Sequence, residues 1–174
     1  MKKFVFTLLL VFVCHLGYAQ GINGLFNEFG SEKNADCVKV SSFMMSLGKM
    51  FAGHDEDAKI IRKIKSIKVL DLESCTASVK ERFNKKVNKL NLKGYDELMR
   101  VNDEGEKVRV LMKTKKETIR ELLFVCTGKE DCTLVQINGK FTKDDIDKLV
   151  NQETGKKHGA AEFKQQFLPY HRKL

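Results

Sequence analysis

The chain has 174 residues, with 32 Lys and Arg against 23 Asp and Glu, for a formal charge of +9. That length suits one domain with a real core and excludes two comfortable ones. Five cysteines without a Cys-x-x-Cys pair, and four scattered histidines, speak against a zinc site.

The first twenty residues have three zones. Lys2 and Lys3 are followed by an apolar run from Phe4 to Val13, broken by Thr7, and then by Gly17-Tyr18-Ala19 before Gln20. This is the order of a secretory leader, with cleavage expected after Ala19. The apolar run is about half the ~20 residues that span a bilayer, so no transmembrane anchor is expected. Cys14 raises lipidation, but Phe12 and Val13 before it are poor lipobox residues, and the lipoprotein reading ranks second. Export to the periplasm or beyond follows. The exported chain carries +7 and keeps Cys37, Cys75, Cys126 and Cys132, an even number in an oxidising compartment.

Residues 20–39 are rich in Gly, Asn and charge and read as a flexible lead-in. Phe43, Met44, Leu47, Met50 and Phe51 then recur at helical spacing within Val40 to Phe51. Such a methionine-bearing stripe is more often core than an adaptable groove. Gly53-His54-Asp55-Glu56-Asp57 is a polar break without the pattern of a calcium loop, and its acids suit the first turn of a helix over Ala58 to Lys63.

Ile64 to Glu73 reads as a strand. A helix follows to about Leu92, capped by Ser74 or Thr76 and ended by Gly94, with Val79, Phe83, Val87 and Leu90 on one face. Lys80, Arg82, Lys85, Lys86 and Lys89 occupy the rest. Alternation from Tyr95 onward then predicts a hairpin meander: Glu97 to Asn102, Lys107 to Thr114, Thr118 to Thr127 as the central strand, and Cys132 to Asn138. Thr142 with Asp145 forms a capping-box pattern for a short final helix carrying Ile146, Leu149 and Val150. Residues 153–174 lose periodicity and read as a basic, mobile tail.

The expected architecture is α+β: a largely antiparallel sheet of about five strands with helices packed on one face, within a single domain over residues 40–152. Four segments also resemble a known family: Ile67 to Glu73, Tyr95 to Asn102, Glu104 to Arg109 and Glu130 to Val135. Together they resemble the domain of unknown function 4252 family over about Val40 to Val150. The resemblance implies a small exported protein of the Bacteroidota, and it brings no catalytic residues.

No Gly-x-Ser-x-Gly elbow, His-Glu-x-x-His or phosphate loop is present, and no histidine falls in the expected core beside a cysteine. The sequence therefore leans away from an enzyme, and calls for no cofactor and no metal. A disulfide between Cys126 and Cys132 is expected across the last hairpin, in a register that sets Phe124 against Leu134 and Leu123 against Val135. Lys80, Lys85, Lys86 and Lys89 mark a candidate interaction surface for an anionic lipid or glycan, and the methionine helix one for an envelope protein. Nucleic acid is disfavoured, since no aromatic residues interleave with these charges. The alternative is an enzyme or small-molecule binder whose site assembles only in the fold.

Overall fold

A computed structural model describes residues 21–51, 56–103 and 105–147. The expected leader, the His54 loop and the tail lie outside the described residues. The elements in chain order are α1 (Ile22–Phe29), β1 (Asp36–Val40), α2 (Ser42–Phe51), α3 (Glu56–Lys63), β2 (Ile64–Asp71), α4 (Ala77–Asn88), β3 (Asp96–Asp103), β4 (Glu106–Lys115), β5 (Thr118–Thr127) and β6 (Thr133–Phe141). The last described residues, 143–147, are helical.

The six strands form one antiparallel sheet in the order β1-β2-β6-β5-β4-β3. Four consecutive strands make the meander that alternation predicts, and β5 lies inside the sheet, as its doubly apolar sequence requires. The sheet gains a sixth strand at β1. This strand and α1 occupy the segment read as a flexible lead-in. Ile22, Leu25, Phe26 and Phe29 are spaced three, one and three apart, which lines one face of α1, and all four are buried.

Helices cover both faces of the sheet, not one. On the first face α1 and α4 pack over Leu70, Leu111, Leu123, Val125 and Leu134, with Phe29 and Phe83 meeting edge to face at 5.3 Å. On the opposite face Ile60 of α3 and Ile146 pack with Leu122, Phe124 and Ile137. The reason is that β5 and β6 are apolar on alternate residues of both parities, so each side of the sheet needs a cover. Gly139 lets the chain close tightly there. A Cβ at this position would meet the Phe141 ring at 2.5 Å and the Lys63 carbonyl at 2.7 Å.

The helix boundaries also differ from expectation. Thr76 stands at the N-cap of α4 without a side-chain cap bond, and Lys89, not Gly94, takes the C-cap. Gly94 instead adopts φ +87 in the turn that feeds β3. The Thr142–Asp145 box forms as predicted: the Thr142 N–H and hydroxyl donate to Asp145 Oδ2 at 2.7 and 2.8 Å. Lys63 Nζ reaches both Asp145 oxygens at 2.6 Å, tying this last turn to α3.

Candidate functional site

The predicted basic surface is largely spent inside the fold. Lys80 is buried and donates to the Glu130 carbonyl at 2.8 Å. Its stem lies along apolar neighbours while its ammonium finds a backbone acceptor. Lys86 pairs with Glu28 at 2.6 Å, and Arg82 pairs with Glu28 and Glu32. These acids come from α1 and the turn after it, which the sequence reading left unstructured. Lys85 pairs with Glu81 along its own helix, and Lys85 and Lys89 are the members of the set that face solvent.

The structure shows no disulfide among Cys37, Cys75, Cys126 and Cys132. The last hairpin runs one residue out of the expected register, with Cys126 opposite Thr133, Phe124 opposite Val135 and Val125 opposite Leu134. A one-residue slip turns every side chain to the other face. Cys132 accordingly sits under α4, its Sγ 3.2 Å from Asn84 Oδ1 and 3.4 Å from the Gly128 carbonyl, while Cys126 falls in the set of the opposite face. Burial pushes the Cys132 thiol up and suits an inert packing role.

A polar cluster sits on the first face beyond the helices. Tyr95 Oη and Gln136 Nε2 each donate to Glu121 Oε1 at 2.7 Å, and Lys113 Nζ lies 5.3 Å from the centre of the Tyr95 ring. Burial, then the Glu121 carboxylate, hold the Tyr95 phenol well above its ordinary range, so it serves as a donor and not as a base. The cluster fastens the loop before β3 onto β5. Among the described residues no group of three or more His, Cys, Asp or Glu is arranged to hold a metal ion.

The largest unabsorbed feature is the part of the second face of the sheet that α3 and Ile146 leave uncovered toward its two edges. Val38, Val69, Val135, Phe124, Val110 and Met99 are successive partners across all six strands, so one apolar rank crosses the whole sheet. The next rank, Val40, Ile67, Ile137, Leu122 and Met112, is apolar too. At the two ends the rank lies open, with Val38 55% and Met99 43% exposed. On α2, which packs near β2, Phe43 is 73% and Met44 56% exposed. These two residues belong to the stripe expected to be core; the side chains of Leu47, Met50 and Phe51 lie outside the described residues. An antiparallel sheet with a solvated face normally makes that face polar, so an apolar rank ending in exposed side chains is a surface suited to contact.

The charged residues sharing this face in the ladders are Asp36, Asp71, Asp96, Asp103 and Glu106, all carboxylates. On the other side of the β3–β4 pair, Glu97 binds Arg100 and Arg109 together, with four nitrogen–oxygen distances between 2.6 and 2.9 Å. This charged knot marks the outermost strand, where Leu98 falls at a register shift. No helix among the described residues is long and apolar enough to cross a membrane.

No curated protein and no solved structure matches the chain. A family described as a domain of unknown function (DUF4252) matches residues 29–149, from the last residue of α1 past the end of the sheet. The match covers more than half of the chain, and the chain belongs to this family.

Proposed function

We propose that this is an exported, non-enzymatic binding protein of the cell envelope, which engages a partner protein through the second face of its sheet and the exposed start of α2. One observation carries the reading: the apolar rank from Val38 to Met99 spans all six strands and ends exposed on both sides, with Phe43 and Met44 exposed on α2. Large apolar side chains grouped in this way on a soluble domain are more useful as a docking surface than as solvent-facing residues. An anionic surface is the weaker partner, because Lys80 and Lys86 are already engaged within the domain.

The test is photo-crosslinking in the producing cells, with Phe43 replaced by p-benzoylphenylalanine. A discrete protein adduct is expected with the probe at Phe43, and none with the probe placed instead at Lys89, the C-cap of α4. Val38→Lys with Met99→Lys should reduce the adduct at least tenfold. Both positions are exposed, so each substitution shifts stability by less than about 0.5 kcal/mol. Lys85→Gln with Lys89→Gln should leave the adduct unchanged. Equal adducts at Phe43 and Lys89, or none at Phe43, would sink the reading.

A further inference from the structure

The two edges of the sheet are built differently. At β3 the ladder slips at Leu98, between Glu97 and Met99, and Glu97 ties Arg100 to Arg109 beside that slip. A bulge and fixed charges are common means by which an edge strand is kept from pairing with another chain. At the opposite edge β1 has no such bulge. Its five residues, Asp36 to Val40, pair with β2 in unbroken register, and among the described residues no strand lies on its other side. The row of backbone N–H and C=O groups on that side is a template for one more strand. We propose that β1 takes an extended segment of the partner as a further strand, and that this segment alternates apolar and acidic residues. The proposal rests on the reading of this region as a docking surface and adds how the partner binds and what chemistry it carries.

The alternation follows from what β1 presents on its two sides. Val38 and Val40 lie on the second face, opposite Val69 and Ile67, and Val38 is 55% exposed. Phe43 and Met44 stand exposed in the first turn of α2, just beyond the end of β1. A strand laid about 4.8 Å outside β1 sets every second side chain on this apolar side, where it covers Val38. The intervening side chains fall on the first face, next to Lys39. There the ladder sets Lys39 directly opposite Lys68, two like charges sharing one face. Lys68 Nζ meets the neutral Asn23 Oδ1 at 2.7 Å and lies 5.6 Å from the centre of the Phe26 ring, and neither neighbour brings a negative charge to offset the repulsion. A carboxylate on the incoming strand beside Lys39 does so. A second copy of the chain fits this edge less well. Two-folds through Cys37 or Val38 set Asp36 against a valine, and one through Lys39 sets lysine against lysine.

The probe is a short synthetic peptide of alternating Glu and Val with capped ends, beside its counterpart of alternating Lys and Val. Each is added at about 1 mM to the isotope-labelled chain beginning at Gln20, and amide hydrogen exchange is read by NMR. With the acidic peptide, alternate amides of β1 should slow, either Asp36, Val38 and Val40 or Cys37 and Lys39, because only those on the open side gain a bond. Docking through side chains alone gives no such alternation. The basic peptide should bind about fivefold more weakly. Lys39→Glu should abolish that preference, while Lys85→Glu, which changes the net charge equally, should keep it. Slowed amides on β3 instead of β1 would overturn strand addition. So would slowing on β1 that needs no peptide and grows with protein concentration, which gives the edge to a second copy. If the β1 amides are unaffected while Phe43 still gives its adduct in cells, strand addition fails and the docking surface stands. If they slow while Phe43 gives no adduct, the edge binds strands and the reading of α2 as part of the surface fails. If neither is seen, both fail.

Discussion

The carboxylate of Glu97 receives bonds from two guanidinium groups, first Arg100 and then Arg109, and these hold its pKa down at about 2. A carboxyl depressed in the folded state stabilises the fold above its ordinary pKa of about 4.3, and that contribution fades as pH falls through the folded value. The window is therefore about pH 4 down to about pH 2. Carbon-detected NMR titration should find Glu97 still ionised at pH 3, and Arg109→Gln should move its midpoint up toward the ordinary range. A midpoint near 4.3 in the parent protein would show that the pairs do not persist in solution. At this same scale the sequence was a poor guide to Cys126 and Cys132. Both possible registers of the last hairpin set apolar residues opposite one another, because β5 and β6 are apolar on both faces. Pairing of apolar side chains could not choose between them. The choice goes with Cys132 seating beneath α4 near Asn84, a contact between residues 48 positions apart.

Elements with strong periodicity were legible and weakly patterned ones were not. The meander from β3 to β6 and the α4 face of Val79, Phe83 and Val87 lie where alternation and helical spacing put them. The α1 stripe was hidden because Asn23, Gly24, Asn27 and Glu28 surround its four buried residues with turn-like composition. Without α1, Glu28 and the neighbouring Glu32 were also out of view, so the pairing of Lys86 and Arg82 within the fold was not legible. The Thr142–Asp145 box shows the opposite case, a local signal that holds and does more than cap. Burial alone would raise the Asp145 carboxyl, but Lys63 and the two Thr142 donors together hold it below its ordinary value. Asp145→Ala should remove the cap and leave the Lys63 ammonium without this partner, at a cost of about 1–2 kcal/mol. Chemical denaturation checks the magnitude. Hydrogen exchange should locate the loss at residues 143–147 and α3, and an unchanged exchange pattern there would mean the clamp contributes nothing.

At the scale of the whole molecule, the family match and the physical unit begin at different residues. The match starts at Phe29, yet Ile22, Leu25 and Phe26 before it are buried against Phe83, Leu70 and Leu72 in the principal core. Burial of such side chains stabilises by about 1.5–3 kcal/mol each, so the four of α1 account for roughly 6–12 kcal/mol as an upper estimate. A domain of this size has a total stability of about 5–15 kcal/mol. The two ranges overlap, which means that α1 decides whether the domain folds at all. Its removal also strips Glu28 from Lys86 and uncovers the Phe83 ring. We therefore expect the chain beginning at Gln20 to unfold in urea in one cooperative transition. The chain beginning at Gly30 should show no such transition, bind apolar dye at zero denaturant and expose Cys132 to rapid alkylation. Phe29→Ala in the longer chain gives a graded version of the same test. It should keep the transition and lower stability by about 3–5 kcal/mol, the usual cost of emptying a buried aromatic site. Equal midpoints for the two chain lengths would show that α1 is an ornament on a core that β2, α4 and the meander complete by themselves.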